Sequence, residues 1–170
     1  MRLDRSWIEL NIPHHGRMCL LDEVIAWDAG HICCRSSTHR WPDHPLRSQN
    51  RLGIACGIEY AAQSMAVHGA LTGGALSRGA PTPGAPTPAA PRAAPPRPAA
   101  PEIGFLAGLR DVRLHVARLD DLEAELIADA ELIAGDHGSA LYEFVLTSAS
   151  RRLMSGRATV VFDASKRFNI

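Results

Sequence analysis

The sequence predicts an α+β domain in which a curved antiparallel sheet wraps one long central helix. Residues 53–71 form a proline-free run of mostly small and apolar side chains. The blocks on either side hold short apolar segments cut by polar turns, and a Pro/Ala tract is set apart by composition. With 170 residues the chain has the length of one domain, enough to bury a core. We take 1–170 as a single domain with a disordered insertion at about 78–102. Its 18 Lys and Arg balance 18 Asp and Glu, which leaves no basic face for nucleic acid or an anionic membrane. No run of about 18 apolar residues occurs, and residues 1–11 lack an apolar signal core. The expectation is a cytoplasmic protein without a membrane span.

In chain order, residues 18–28 and 31–38 read as two strands joined by the tight turn Ala29-Gly30. The run 53–71 follows, a helix of about 27 Å at 1.5 Å per residue. Ile54, Ile58, Ala61, Ala62, Met65 and Ala66 supply one face, while Cys56, Tyr60, Ala70 and Leu71 leave little for water on the other. Such a helix is expected to be enclosed by protein. Residues 80–101 hold nine Pro and eight Ala, with Gly-Ala-Pro-Thr-Pro written twice from Gly79. No large apolar side chain there offsets the entropy of ordering. Segments 104–116, 122–134, 139–148 and 152–163 then resemble a meander, with 135–138 as a hairpin turn. Residues 122–134 are rich in helix formers. Against that, Leu122, Ala124, Leu126, Ala128, Ala130 and Leu132 alternate with Glu123, Glu125, Asp129 and Glu131, which is the period of a strand.

Glu59 is the one Asp, Glu, Lys or Arg between Leu52 and Leu71. A helix start favours its carboxylate and apolar neighbours favour the neutral acid. The balance suits a carboxyl that exchanges a proton near neutrality, as general acid–base chemistry requires. A capping carboxylate or a buried pair with arginine accounts for the same residue structurally. Gln63, four residues on, shares its face and can orient it, or can bond backbone instead. His39, at a strand end, and His44, in Trp41-Pro42-Asp43-His44-Pro45, are the candidate bases; a solvated or structurally bonded imidazole is the alternative for each. Cys19, Cys33, Cys34 and Cys56 show no C-x-x-C spacing, and His14 and His15 are adjacent with no third ligand nearby, so no metal site is expected. Neither a P-loop, G-x-G-x-x-G nor G-x-S-x-G is present.

Ile12-Pro13-His14-His15-Gly16-Arg17-Met18-Cys19-Leu20-Leu21-Asp22-Glu23-Val24, followed by Gly57-Ile58-Glu59-Tyr60-Ala61-Ala62-Gln63, resembles the hotdog-fold 3-hydroxyacyl-ACP dehydratases of FabZ-like kind. The likeness is greater to their ApeP-type branch, associated with aryl polyene synthesis. Residues 104–112 resemble the family strand that follows the helix. The resemblance implies dehydration of a 3-hydroxyacyl thioester on acyl carrier protein to the trans-2-enoyl product, in a fatty-acid- or aryl-polyene-type pathway. A histidine would remove the α-proton and Glu59 would protonate the departing hydroxyl, with no cofactor. Gly57, through backbone N–H groups near it, and Gln63 are the implied substrate-binding positions. A homodimer, or a heterodimer with another hotdog subunit, is implied as well, with sites across the interface.

One departure stands out: FabZ-type enzymes carry His-Phe-Pro-Gly, whereas Pro45 follows His44 here, and His44 lies one residue farther from Glu59 than in the family. His44 is the first candidate base and His39 the second. Two other readings stay open, a non-catalytic hotdog subunit that stabilises a heterodimeric dehydratase, and an acyl thioesterase. Arg47 and Arg51, near the helix entrance, are candidates to meet the acidic carrier protein.

Overall fold

The computed structural model describes residues 3–72, 104–136 and 138–162. The expected insertion at about 78–102 lies outside the described residues. The chain opens with a helix the sequence reading did not anticipate, α1 (Arg5–Asn11). Asp4 caps it, its Oδ1 accepting the N–H of Trp7 at 3.2 Å, and so satisfies one of the donors a helix start leaves unpaired. Ile8 turns inward and is fully buried.

Strands β1 (Glu23–Trp27) and β2 (His31–Ser36) form the expected hairpin. Helix α2 (Gly57–Leu71) comes next, then β3 (Gly104–Leu114), β4 (Leu126–Gly135), β5 (Ser139–Ser148) and β6 (Arg151–Phe162). They build one antiparallel six-stranded sheet in the order β1-β2-β4-β5-β6-β3. α2 lies across β2, β4 and β5. The inward rows that meet it are Leu126, Ala128 and Ala130 of β4 and Ala140, Tyr142, Phe144 and Leu146 of β5, all at most 2% exposed. Small residues on β4 and large ones on β5 give the sheet a surface into which a helix can settle. Register shifts in the β1/β2, β3/β6, β4/β5 and β5/β6 pairings bend the sheet around it.

Tertiary packing decides the segment with helical propensity in favour of strand. Leu126, Ala128 and Ala130 face the core, and Asp129 and Glu131 face out in register with Cys33 and His31. The strand begins at Leu126, however, and residues 122–125 form its approach.

Two other boundaries move. Residues 18–22 are not part of the first strand: Gly16–Met18 is a 3-10 turn and β1 starts at Glu23. The reason is that Leu20 gives its backbone to side chains, its N–H to Gln63 Oε1 at 2.8 Å and its carbonyl to Thr38 Oγ1 at 2.9 Å. The central helix is preceded by a 3-10 turn, Ile54–Cys56, rather than starting at 53. Gly53 and Ile54 are held instead by residues 117 and 118, with Ile54 N–H on the Ala117 carbonyl at 3.2 Å.

α2 is enclosed as expected, and polar as well as apolar side chains are sealed in: Gln63, Ser64 and His68 are all fully buried. Burying such groups is tolerated because each is hydrogen-bonded. His68 takes Tyr142 Oη on Nδ1 and the Asp28 carbonyl on Nε2, both at 2.9 Å. No helix among the described residues is long and apolar enough to cross a membrane.

Candidate active site

Glu59 stands in the first turn of α2. Its Oε1 accepts a hydrogen bond from Gln63 Nε2 at 2.9 Å and lies 3.0 Å from His14 Nε2. The helix places Gln63 one turn on, on the same face. The orientation of the Gln63 amide is dictated on three sides. Its oxygen receives Leu20 N–H at 2.8 Å, and its nitrogen gives one hydrogen to the Met18 carbonyl at 2.7 Å and the other to Glu59. Glu59 is thereby tied to the 18–20 segment, and the same segment follows His14 in the chain.

The resulting carboxyl differs from the one expected. Rather than exchanging a proton near neutrality, it is held below the usual carboxylate range. The hydrogen bond from His14 is the largest cause, and with the bond from Gln63 it outweighs partial burial. Glu59 is therefore an anion at neutral pH, and its first capacity is to accept a proton. Its side chain is 29% exposed, and among the described residues no hydrogen bond reaches its Oε2. Among the described residues it is paired with no arginine.

The two histidines named from the sequence lie elsewhere. His44, 3% exposed, receives Leu46 N–H on Nδ1 at 3.1 Å, so its hydrogen sits on Nε2, which meets Tyr60 Oη at 3.0 Å. Tyr60 in turn meets Thr38 Oγ1 at 2.9 Å. Burial first, then Arg47, pushes the His44 imidazole down to about 4. His39 is fully buried in a 3-10 turn, Thr38–Arg40, with Nε2 on the Leu122 carbonyl at 3.1 Å. Its acidity shifts the same way, again chiefly through burial. Both rings are neutral, each has its Nε2 bonded inside the fold, and neither bonds Glu59.

Gly57 lies where the Ile54–Cys56 3-10 turn meets α2. Its N–H is directed back to the Ile54 and Ala55 carbonyls, because the 3-10 turn runs into the helix without a break. What the position requires is absence of a side chain: a Cβ there would lie 2.8 Å from Leu146 Cδ2 and 3.1 Å from Met154 Cε. Arg47 is turned inward onto Asp120 at 2.9 Å, whereas Arg51 is exposed.

His14 is the residue that sequence reasoning missed. Adjacency to His15 argued against a metal site and drew attention away from it, and no periodicity connects a loop histidine to a helix residue 45 positions later. Its one signal was its place in the Ile12-Pro13-His14 motif. Among the described residues no three His, Cys, Asp or Glu side chains converge to hold a metal ion.

Residues 7–85, which contain His14, Glu59 and Gln63, match the family model ApeP-like, described as ApeP dehydratase. By that match residues 7–85 are similar to the ApeP-like dehydratases. The resemblance read from residues 12–24 and 57–63 is borne out. Solved structures agree on the fold. The dehydratase heterocomplex ApeI:P from Xenorhabdus doucetiae superposes with a TM-score of 0.70 at 21% identity, covering 94% of this chain and 92% of that one. AziG from S. sahachiroi gives 0.54 at 8% identity over 85% of this chain and 91% of its own. A mutant thioesterase from Pseudomonas aeruginosa gives 0.52 at 9% identity over 82% and 79%. No curated protein matches the chain. The fold is the hotdog, a long helix held by a curved antiparallel sheet, as expected from the order of elements.

Proposed function

We propose that this chain dehydrates 3-hydroxyacyl thioesters carried on acyl carrier protein to the trans-2-enoyl product in the cytoplasm, in a fatty-acid- or aryl-polyene-type pathway. Glu59 is the acid–base carboxyl of that reaction. The observation that carries the reading is the Glu59 carboxylate itself, part-exposed at the start of a buried helix and fixed by Gln63 and His14 through one oxygen. An oriented carboxylate with a free oxygen is suited to moving a proton at a carbon next to a thioester. Gln63 serves the site by orientation. Arg51, exposed near the helix entrance, is the cation we assign to the acidic carrier.

A second reading is favoured by the state of His39 and His44, both spent inside the fold. In it this chain works in a heterodimer whose other hotdog subunit supplies the histidine. The solved relative in the ApeI:P heterocomplex lends that arrangement support. The test is a mass-spectrometric assay of 3-hydroxyacyl-ACP, first with the purified chain and then with the hotdog chain that co-purifies from its host. Water loss that falls about 10²-fold or more in Glu59→Gln fits the role of a general acid–base group. Wild-type turnover in Glu59→Gln removes the carboxyl from the reaction. Release of free thiol in place of water loss would make the chain a thioesterase.

A further inference from the structure

His39, His44 and His68 spend ring nitrogens on tyrosines and backbone, whereas His14 bonds Glu59. Its Nε2 lies 3.0 Å from a carboxylate oxygen, a position only an N–H can occupy favourably. Its Nδ1 is buried and has no hydrogen-bond partner. The bond to the carboxylate fixes Nε2 as the N–H nitrogen of the ring. Gln63 presents the other donor to the same oxygen at 2.9 Å. Oε1 is thus doubly bonded by donors, while Oε2 has none among the described residues.

Resting on the dehydratase reading above, we infer that His14 is a positioning residue, an Nε2–H donor that with Gln63 clamps Oε1 of Glu59 and leaves Oε2 as the proton-transferring atom this chain supplies. The step balances on that one carboxylate. Oε2 takes the C2 proton, the C–H electron pair becomes the C2–C3 double bond, and the C3–O bond breaks. The departing hydroxyl then collects the proton from Oε2 and leaves as water, and the carboxylate is restored with His14 unchanged. Among the described residues His14 is the titratable group set against Glu59 from outside its helix, and Gln63, on the helix, is uncharged.

Two substitutions separate a donor from a proton carrier. His14→Gln keeps an N–H near the position of Nε2 and cannot take up a proton; His14→Ala removes both. Loss of one charge-assisted hydrogen bond is expected to lower turnover about tenfold in His14→Ala. His14→Gln should recover most of that loss. Carbon NMR of the Glu59 carboxyl in the full chain gives a readout that needs no activity: its protonation midpoint should rise in His14→Ala and return toward wild type in His14→Gln. The proposal is overturned if His14→Gln is as inactive as His14→Ala, or if the Glu59 midpoint does not rise in His14→Ala. Were wild type to show no dehydration, the functional reading would fail, and the NMR titration of Glu59 would still decide the clamp.

Discussion

His44 is 3% exposed with both ring nitrogens bonded, so protonating it means breaking the Leu46 N–H contact inside the core. Its folded value lies at about 4 against an ordinary 6.5. As pH falls through that interval the unfolded chain takes the proton first, so the stability His44 contributes is complete above the ordinary value and lost toward the folded one. A separation of that size corresponds to roughly 3 kcal/mol, and His39 and His68 shift in the same direction. Calorimetry is expected to show the melting temperature dropping as pH falls from about 6.5 to about 4. His44→Gln, which retains a donor for Tyr60, should flatten that slope; a slope unchanged in His44→Gln would remove His44 as its source. Glu59 acts lower on the scale. Its folded value is depressed, so its share is present above the ordinary carboxylate value and lost as pH falls through the folded one. Glu59 was readable in the sequence because a carboxylate in an apolar helix needs a reason, and Gln63 because helical spacing puts it one turn away. His14 was not, since the contact that matters closes over 45 residues. Nor was the direction of the Glu59 shift, which depends on who donates to it.

α2 comes close against the sheet at its first residue. A methyl group on Gly57 would lie 2.8 Å from Leu146 and 3.1 Å from Met154, both fully buried. Overpacking of this kind costs about 1–3 kcal/mol, while alanine gains about 1 kcal/mol of helix propensity over glycine. The steric term wins, and Gly57→Ala should destabilise the fold by about 1 kcal/mol in chemical denaturation. Leu146→Ala opens the space a methyl would fill. The double variant is therefore expected to be less destabilised than the two single effects added together; strict additivity would show that Gly57 and Leu146 do not compete for room. The elements themselves were legible where a period ran long enough: the proline-free run ends at Leu71 as expected, and β5 has its expected bounds. What failed were starts governed by partners far along the chain, the Leu20 backbone taken by Gln63 and Thr38, and Ile54 held by Ala117. α1 was missed because seven residues carry too little periodicity to stand out, although its Asp4 cap was there to be read.

At the scale of the whole fold, the sheet of the described residues ends on β3, which there pairs only with β6. Phe105, Leu106, Leu109, Val112 and Leu114 are each at least 36% exposed along it. An open edge with apolar side chains is a template for another strand, and soluble proteins rarely leave one uncovered. The hotdog partner proposed above would cover it, continuing the sheet through β3 and burying this row. The same edge carries Arg110 and Arg113, which meet no acidic side chain among the described residues, so a partner strand with acidic residues opposite them suits it better than a second cationic edge. Leu109→Asp places a charge in the middle of the row without touching the core beneath α2. It is expected to weaken association by about tenfold or more, from the apolar area lost and the charge desolvated. Sedimentation velocity on the full chain, alone and with the partner that co-purifies, reads this directly. The melting temperature at a concentration where wild type is dissociated should be nearly unchanged, since Leu109 is part-exposed and β3 packs chiefly against β6. Association undiminished in Leu109→Asp would mean that the partner binds elsewhere and that β3 is covered by some other part of the assembly.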